Sequence, residues 1–480
     1  MTTLSKRAIA GIAVGLMAGA TAGAVAADYA IVVSQKTQAD APWRLVVDVL
    51  QAKHRGSVVV YAGGVRESLA DLQKLMPRYT CFVATPAEAS RLFVVDVHRL
   101  TRQLDDDPYT DTIWGILTGY DAANAMEIAR HSEPLVVRKV AAGTDVAIEM
   151  CEEGVWYCEL TQNRMVQKNK GEAAKQVKGP ADTTKAMVDT LNEYKADLFV
   201  TSGHATERDW QIGYRYRNGS FQSKAGKMAG VDTQGKRWPI ESPNPKVYLP
   251  IGNCLMGHID GPDAMALAWM NSAGVKQMIG YTVPSWYGYA GWGCLDYFVE
   301  QPGRYTFAEA FFANDHALIY RLGKCFPELL KQEPKAGEMF TGTIALSDAA
   351  KVEKLRANDG VGLLFDRDVV AFYGDPAWEA RMAKGELRWE QSLTEKDGVY
   401  TLEIRPRKAD KTFEPVNING SQRGHRPIVQ FLPGRVKNAK LLEGQDLQPV
   451  ITDDLVLLPQ PGKYESDGVY RVRFTAERVR

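Results

Sequence analysis

Short apolar runs and helical patterns alternate along the first part of the chain. Apolar positions three and four residues apart predict a helix over Trp43–Ala52, and a second helix is predicted over Ala122–Arg130. Short runs rich in apolar and β-branched residues predict strands over Tyr29–Val33, Val58–Tyr61, Phe82–Ala84 and Leu92–Val95. Alternation of this kind favours a mostly parallel sheet with helices on both faces.

The same alternation continues in a second unit. Helices are predicted over Ala186–Tyr194 and Asp263–Asn271, and strands over Val146–Met150, Asp197–Thr201, Lys246–Ile251 and Val275–Gly280. One strand runs directly into Ser202-Gly203-His204, and another runs into Gly252-Asn253-Cys254. Ligands of such sheets bind at the carboxyl ends of the strands, so these two strand ends form the candidate site.

The pattern changes after Pro376. Short alternating segments separated by Gly, Pro, Asp and Asn follow at Leu387–Trp389, Gly398–Arg405, Ile428–Phe431, Leu455–Leu458 and Gly468–Phe474. This spacing is typical of an antiparallel β-sandwich of immunoglobulin type, which we place at residues 385–480. The preceding α/β part is divided into an N-terminal subdomain, residues 27–140, and a second subdomain, residues 141–384.

The first 26 residues have the pattern of a secretory signal peptide. Lys6 and Arg7 precede an apolar run that begins at Ala8, and small residues follow up to Ala24-Val25-Ala26. The alternative is a membrane anchor, but the run is shorter than the roughly 20 apolar residues of a spanning helix. We therefore expect cleavage before Ala27 and an exported protein, periplasmic or extracellular, with no stable membrane anchor.

Composition narrows the classes of function. Lys plus Arg and Asp plus Glu each number 58 in 480 residues, so the chain lacks the global positive field that drives non-specific nucleic-acid binding. Nucleic acid is therefore not an expected partner. Six cysteines could form up to three bridges in an oxidising compartment. Cys151 with Cys158 and Cys294 with Cys325 are the pairs to consider, and Cys81 has no obvious partner.

The candidate chemistry lies in His204 and Cys254, which follow the two strand ends. An imidazole beside a thiol takes its proton, and the thiolate is the nucleophile. Backbone N–H groups near either residue can hold the oxyanion of a tetrahedral intermediate. Histidine comes first and cysteine about 50 residues later, which is the order known in the caspase lineage.

The residues around this pair resemble the gingipain-type cysteine peptidases. Gly203-His204-Ala205-Thr206-Glu207-Arg208-Asp209-Trp210 is similar to the G-H-x-[S/T]-E-x-x-W block around that family's catalytic histidine. Ile251-Gly252-Asn253-Cys254 follows an apolar strand, as the family's nucleophile does. Thr282-Val283-Pro284-Ser285-Trp286 is similar to its T-x-x-S-W segment, and Gly374-Asp375-Pro376 to the G-D-P end of its catalytic domain. The resemblance implies a caspase-like α/β/α sandwich followed by an immunoglobulin-like domain.

The resemblance also implies an activity, that of an exported cysteine endopeptidase acting on proteins or peptides. Cys254 would attack the scissile carbonyl, His204 would protonate the leaving amine, and the N–H groups of Cys254 and Ala205 would hold the oxyanion. Ala205 stands where the family usually has glycine, which matters if the backbone there requires glycine. No cofactor is required, and the sequence does not indicate a structural calcium ion.

Specificity is predicted from fewer residues. The family's tryptophan at the position of Trp286 helps to wall the S1 pocket, and an indole packs on a long P1 side chain and meets a guanidinium face by a cation–π contact. We therefore expect a basic P1 residue, Arg ahead of Lys. Glu152 and Glu153 fall in the region where the family carries one acid that orients histidine and another that reads the substrate. They are candidate pocket residues.

Two other classes of function remain open. Cys254, His258 and His204 supply three N or S ligands, the number that a catalytic zinc uses, which would make the protein a metal-dependent hydrolase. The chain is alternatively a secreted binding protein on an inactive peptidase scaffold, for which Ala205 is the hint. An activity that iodoacetamide blocks and chelators do not would indicate the peptidase. An intact structure without thiol reactivity would favour the binding protein.

Overall fold

The structure is a computed structural model of the chain, and it describes residues 28–408, 411–417, 423–424, 426–461 and 468–479. The predicted signal peptide lies outside the described residues. Among those that are described, no helix has both the length and the apolar character needed to cross a membrane.

The first α/β half contains four strands and five helices in its described residues. In chain order they are β1 (Tyr29–Ser34), α1 (Gln35–Ala39), α2 (Ala41–His54), β2 (Ser57–Tyr61), α3 (Leu69–Leu75), β3 (Tyr79–Val83), α4 (Arg91–Thr101), β4 (Ile113–Leu117) and α5 (Ala122–Arg130). The first three predicted strands and both predicted helices are present.

The fourth predicted strand, Leu92–Val95, is wrong, because these residues belong to α4. The Ser90 side chain caps this helix by accepting a hydrogen bond from the Phe93 N–H at 3.3 Å. Buried side chains then recur at helical spacing, beginning with Val94 and Val97. A run of four apolar residues does not distinguish a strand from a buried helix by periodicity, so the cap and the following turns decide.

The second half extends from β5 to β18. Its elements are β5 (Leu135–Val137), β6 (Lys139–Ala142), β7 (Glu153–Tyr157), β8 (Arg164–Lys168), β9 (Lys175–Lys178), α6 (Thr184–Asn192), β10 (Leu198–Thr201), β11 (Asp209–Gln211), β12 (Ser220–Lys224), β13 (Lys227–Val231), β14 (Arg237–Ile240), β15 (Lys246–Pro250), α7 (Met265–Ser272), β16 (Val275–Tyr281), α8 (Tyr289–Phe298), α9 (Phe307–Cys325), α10 (Pro327–Leu330), α11 (Asp348–Val352), α12 (Ala357–Asp366), β17 (Val370–Gly374) and β18 (Ala380–Met382). The predicted subdomain boundary at residue 140 falls inside β6.

The predicted strand Val146–Met150 is also wrong. Its last residues form a short 3-10 turn, Ile148–Met150, and the strand that follows is β7. The carboxyl end of this strand is therefore Tyr157, several residues later than the sequence pattern suggested. Strands β11 to β14, which come between β10 and β15 in the sequence, form a separate antiparallel sheet that was not predicted.

One twelve-stranded sheet joins the two halves, in the order β2-β1-β3-β4-β17-β16-β15-β10-β6-β7-β8-β9. The pairs of β16 with β17, β7 with β8 and β8 with β9 are antiparallel, and the other neighbours are parallel. Every side chain of β1, β4, β15 and β16 is buried. Side chains alternate between the faces of a sheet, so both faces of these strands are covered, and the predicted mostly parallel α/β sheet is present.

The C-terminal part has a separate core. Its strands are β19 (Trp389–Lys396), β20 (Val399–Pro406), β21 (Ile428–Phe431), β22 (Val436–Glu443), β23 (Val450–Ile451), β24 (Leu455–Leu458) and β25 (Tyr470–Arg478). They form two antiparallel sheets, β19-β20-β25-β22 and β21-β24-β23. Both sheets contribute to one buried cluster, with Leu402 and Phe474 from the first and Val456 and Leu458 from the second. The strand β22 was not predicted, because half of its residues are polar and they do not alternate regularly with the apolar ones.

Candidate active site

Two neighbouring strand ends form the candidate site. β10 and β15 are parallel and adjacent in the sheet. Beyond them, the buried side chain of Asn253 joins the two turns, since its Oδ1 accepts from Thr201 Oγ1 at 2.7 Å and its Nδ2 donates to Gly203 O at 3.2 Å. His204 comes directly after Gly203 in the sequence, and Cys254 comes directly after Asn253. The structure therefore brings the two residues to the same edge of the sheet.

The Cys254 thiol is half-buried and accepts a hydrogen bond. The Ser285 N–H donates to its Sγ at 3.2 Å. Leu255, the next residue, has a φ of 59° and donates from its N–H to Val283 O at 3.2 Å, so the turn runs along the Thr282–Trp286 segment. An N–H aimed at sulfur stabilises a thiolate, and this arrangement suits a nucleophile.

His204 is exposed and stacks on an aromatic ring. Its ring centroid lies 4.8 Å from that of Tyr214, with 32° between the two planes. Tyr214 is anchored in turn, because its N–H donates to Glu159 O at 2.7 Å. The imidazole is thus supported by Tyr214 and remains open to solvent, where a substrate can reach it.

The glycine and tryptophan of the motif hold the turn around His204. Gly203 has a φ of 94°, a region that favours glycine. Trp210 is fully buried and donates from Nε1 to Ser202 O at 2.7 Å. It packs so closely on Gly143 that a Cβ there would lie 2.5 Å from the ring. These two residues have structural roles, which leaves the imidazole free for chemistry.

The backbone N–H groups of Ala205 and Cys254 are available at this edge. Neither donates a hydrogen bond to any residue that the structure describes. Ala205 is not among the residues with a positive φ. Alanine can therefore present its N–H there as well as glycine can, and the two groups suit an oxyanion.

The structure corrects the predicted acidic residues. Glu152 and Glu153 lie at the start of β7, where Glu153 is opposite Lys139 at the start of β6. Because β6, β10 and β15 are parallel neighbours, this is the edge of the sheet away from Cys254. Glu152 instead forms an ion pair with Lys170 at 2.5 Å. The prediction failed because it placed the strand before these residues and not after them.

Glu159 is the acidic residue that the structure brings to the His204 turn. It lies just past the end of β7 and is only 8% exposed. Its Oε1 accepts from Thr144 Oγ1 at 2.7 Å, and its Oε2 lies 3.5 Å from where a Cβ on Gly203 would stand. Burial raises the pKa of Glu159, and the hydroxyls of Thr144 and Ser202 oppose part of the rise. A correct assignment of β7 would have indicated this residue from the sequence.

Trp286 lies at the surface beside the thiol. Its side chain is 73% exposed, and it follows directly on Ser285, whose N–H contacts Cys254. Tyr289 and Trp292, by contrast, are buried and belong to the core. A mostly exposed indole next to the Cys254 thiol is compatible with the predicted pocket wall.

The six cysteines, all within described residues, are free thiols, so neither considered pair is bridged. Five are buried and Cys254 is half-buried. Burial raises the pKa of Cys151 to about 12 and that of Cys325 to about 11. Of the six thiols, Cys254 is therefore the one open to reagents.

The ligands of the metal alternative do not converge. Within the described residues, the group of three or more His, Cys, Asp or Glu side chains with ligand atoms within 4.8 Å of one another is Asp105, Asp107 and Asp111. Cys254, His204 and His258 form no such group, and His258 Nδ1 lies 3.0 Å from Glu207 Oε1. The geometry does not favour a zinc centre at the two strand ends.

Comparison with known proteins gave no match among family models or curated sequences. Among solved structures, the chain is similar to the crystal structure of gingipain R, an Arg-specific cysteine proteinase. The identity is 11%, the TM-score is 0.40, and the alignment covers 95% of this chain and 99% of that one. A structure described as a protease aligns with 10% identity and a TM-score of 0.41, over 94% of this chain and 97% of the other. Over nearly its whole length the chain is similar to two proteases, one of them from the gingipain family whose motifs its sequence resembles.

Proposed function

We propose that the chain is an exported cysteine endopeptidase with Cys254 as nucleophile and His204 as general base and acid. The observation that carries the proposal is the pair of strand ends joined through Asn253, which brings a half-buried thiol and an exposed imidazole to one edge of the sheet. The Ser285 N–H on the sulfur adds a group that favours the thiolate.

The reaction proceeds through an acyl-enzyme. Cys254 Sγ attacks the carbonyl carbon of the scissile bond, and the thiol proton passes to His204. The N–H groups of Ala205 and Cys254 donate to the oxyanion of the tetrahedral intermediate. His204 gives the proton to the leaving amine as the C–N bond breaks. It then takes a proton from the water that attacks the thioester, and Cys254 leaves as the carboxylic acid forms.

The two alternatives lack a specific observation in their favour. The metal ligands do not converge, and Ala205 has a backbone conformation that suits its N–H for binding an oxyanion. Export follows from the signal-like first residues. The C-terminal domain is proposed to be of immunoglobulin type, which its described sheets of four and three antiparallel strands support.

Replacing His204 with Ala tests the pair directly. We expect His204→Ala to slow alkylation of Cys254 by iodoacetamide at pH 7 by roughly tenfold, because the imidazole no longer takes the thiol proton. Labelling followed by peptide mapping gives the rate at Cys254 separately from the five buried thiols. The matched control is His131→Ala, in a partly buried histidine whose ring meets that of Trp378 edge to face. Equal alkylation rates for His204→Ala and the wild type would show that the two side chains do not interact.

Specificity is tested at Trp286. If the exposed indole packs on a basic P1 side chain, Trp286→Ala should raise KM for substrates with P1 Arg by roughly 2- to 30-fold and change kcat less. The measurement is a series of peptides that differ only at P1. Trp238→Ala, on the partly buried indole of β14, is the control. Wild-type cleavage after small or acidic residues, or an unchanged P1 ranking in Trp286→Ala, would contradict the pocket assignment.

A further inference from the structure

His258 lies between the two turns that carry the proposed catalytic residues. It belongs to the turn that begins at Cys254, where its N–H donates to Leu255 O at 2.9 Å. Its Nδ1 lies 3.0 Å from Oε1 of Glu207, on the turn that follows His204. One imidazole nitrogen thus connects the nucleophile turn with the histidine turn.

A third segment reaches the same nitrogen. Nη2 of Arg91 lies 3.3 Å from His258 Nδ1, and Arg91 Nε donates to Thr282 O at 2.7 Å. A guanidinium only donates hydrogen bonds and a carboxylate only accepts them. Nδ1 of His258 therefore either accepts from Arg91 or donates to Glu207, but does not do both at once. The shorter distance to Glu207 and the charge of the carboxylate favour an N–H of His258 donating to Glu207. Arg91 then holds the segment that leads to Trp286.

Besides the buried hydrogen bonds of Asn253, two charged side-chain pairs link these turns, and the Glu207–His258 pair is the more shielded of the two. Its side chains are 18% exposed for His258 and 22% for Glu207. The second link, from Arg208 to Asp260 at 2.9 Å, has side chains that are 45% and 30% exposed. Exposed ion pairs contribute little, because water and salt screen them. Of the two charged pairs, Glu207–His258 is therefore the one expected to add to the Asn253 hydrogen bonds in holding the turns together.

We propose that His258 is a positioning residue, which holds the Cys254 turn against the His204 turn through the hydrogen bond from Nδ1 to Glu207. The inference rests on the proposed peptidase function. The segments that carry His204 and Cys254 are turns without regular secondary structure, so the approach of imidazole to thiol depends on side-chain links between them. Misplacement by about 1 Å at such a site costs roughly 100-fold in rate.

Three substitutions of His258 separate the hydrogen bond from mere side-chain volume. Asn places an amide N–H close to where Nδ1 stands, and Gln places one nearer to Nε2. We expect His258→Ala and His258→Gln to lower kcat for peptide hydrolysis by about tenfold with little change in KM, and His258→Asn to stay within about threefold of the wild type. The rate of Cys254 alkylation at pH 7 should follow the same order. Equal losses in Ala and Asn, or no loss in any variant, would overturn the proposal.

A double-mutant cycle with Glu207 identifies the partner. Glu207→Ala keeps the backbone link of its turn, because the Met265 N–H donates to Glu207 O at 2.7 Å. Combined with His258→Ala it should lower kcat no further than either change alone, since each removes the same bond. Additive losses would contradict the pairing. Arg208→Gln, at the exposed link, is the control and should change kcat by less than about twofold.

The outcomes distinguish this inference from the function on which it rests. A wild-type protein without peptide hydrolysis and without His204-dependent alkylation would overturn the peptidase assignment and the positioning role together. An active wild type with a fully active His258→Ala variant would leave the peptidase standing and remove the role of His258. Thermal unfolding followed by circular dichroism checks that each variant is folded.

Discussion

Cys254→Ala is expected to abolish peptide hydrolysis, by roughly 10⁴-fold or more, and to leave the fold intact. The thiol is the proposed nucleophile, and alanine has no group that could form the acyl-enzyme in its place. Removal of the half-buried Sγ leaves no deep cavity, since cysteine behaves as a small apolar residue there. The measurements are steady-state hydrolysis of peptide substrates and the thermal unfolding midpoint.

Cys151→Ala is the matched control for this result. Cys151 is buried, and its Sγ contacts Ala147 O at 3.8 Å near the start of β7, away from the strand ends that carry the site. This variant should hydrolyse peptides at the wild-type rate. Residual hydrolysis by Cys254→Ala above the background of a mock purification would show that another residue is the nucleophile.

Asp375→Asn is expected to lower the free energy of unfolding by about 3–5 kcal/mol, because it breaks a buried ionic network. The carboxylate is only 2% exposed and lies within 3.0 Å of Lys53 Nζ and 2.7 Å of His54 Nε2. It also accepts from the Tyr29 hydroxyl at 2.8 Å. These partners belong to β1 and α2, so Asp375 ties the end of β17 to the first half of the sheet. Urea unfolding at pH 7 measures the loss.

The same carboxylate gives this result a pH dependence. Burial by itself would raise the pKa of Asp375, but the hydrogen bond and charge of His54, with the charge of Lys53, outweigh it and lower the pKa to about 2. In the unfolded chain the pKa of an aspartate is near 3.9. The lowered pKa therefore stabilises the folded state at pH values above 3.9, and this stabilisation is lost as the pH falls towards 2. The lowering corresponds to about 2.5 kcal/mol. The difference in the free energy of unfolding between wild type and Asp375→Asn should therefore decrease by about that amount as the pH is lowered from 5 to 2.

Asp348→Asn is the control for the stability measurement, since the Asp348 side chain is 96% exposed. It should leave the free energy of unfolding unchanged within the error of the urea measurement. If the difference in the free energy of unfolding between wild type and Asp375→Asn stays constant with pH, the lowered pKa is contradicted. If that difference is below about 1 kcal/mol at pH 7, the structural role of Asp375 is contradicted.

Four of the buried strands were predicted from the sequence, whereas β4 and β17, which are also buried at every position, were not. β1, β10, β15 and β16 are mainly apolar, although β16 includes Lys276 and Gln277, and their predicted bounds agree with the structure to within one or two residues. The apolar residues carry the information, because a strand covered on both faces needs them at most of its positions.

Two of the predicted strands are absent from the structure. At Leu92–Val95 a short apolar run belongs to a helix, and at Val146–Met150 it belongs to an irregular segment before β7. The run length alone does not separate these cases. The long helix α9 begins with a recognisable signal, since Thr306 and Glu309 form a capping box. Its interior is buried on nearly every side, polar residues such as Asn314 included, so its apolar residues show no clear period.

The sequence by itself identified the two side chains of the proposed catalytic pair. His204 and Cys254 each follow a buried strand, and the pattern that ends those strands is local. Only the tertiary structure decided which carboxylate joins them. Glu159 reaches the His204 turn, and Glu152 does not, because β7 begins at Glu153 and its neighbours in the sheet run parallel to it. The physical reason is that the tendency of a segment to be buried depends on its own residues and is visible in the local sequence. Which strands become neighbours depends on hydrogen bonding and packing between segments that are distant in the sequence.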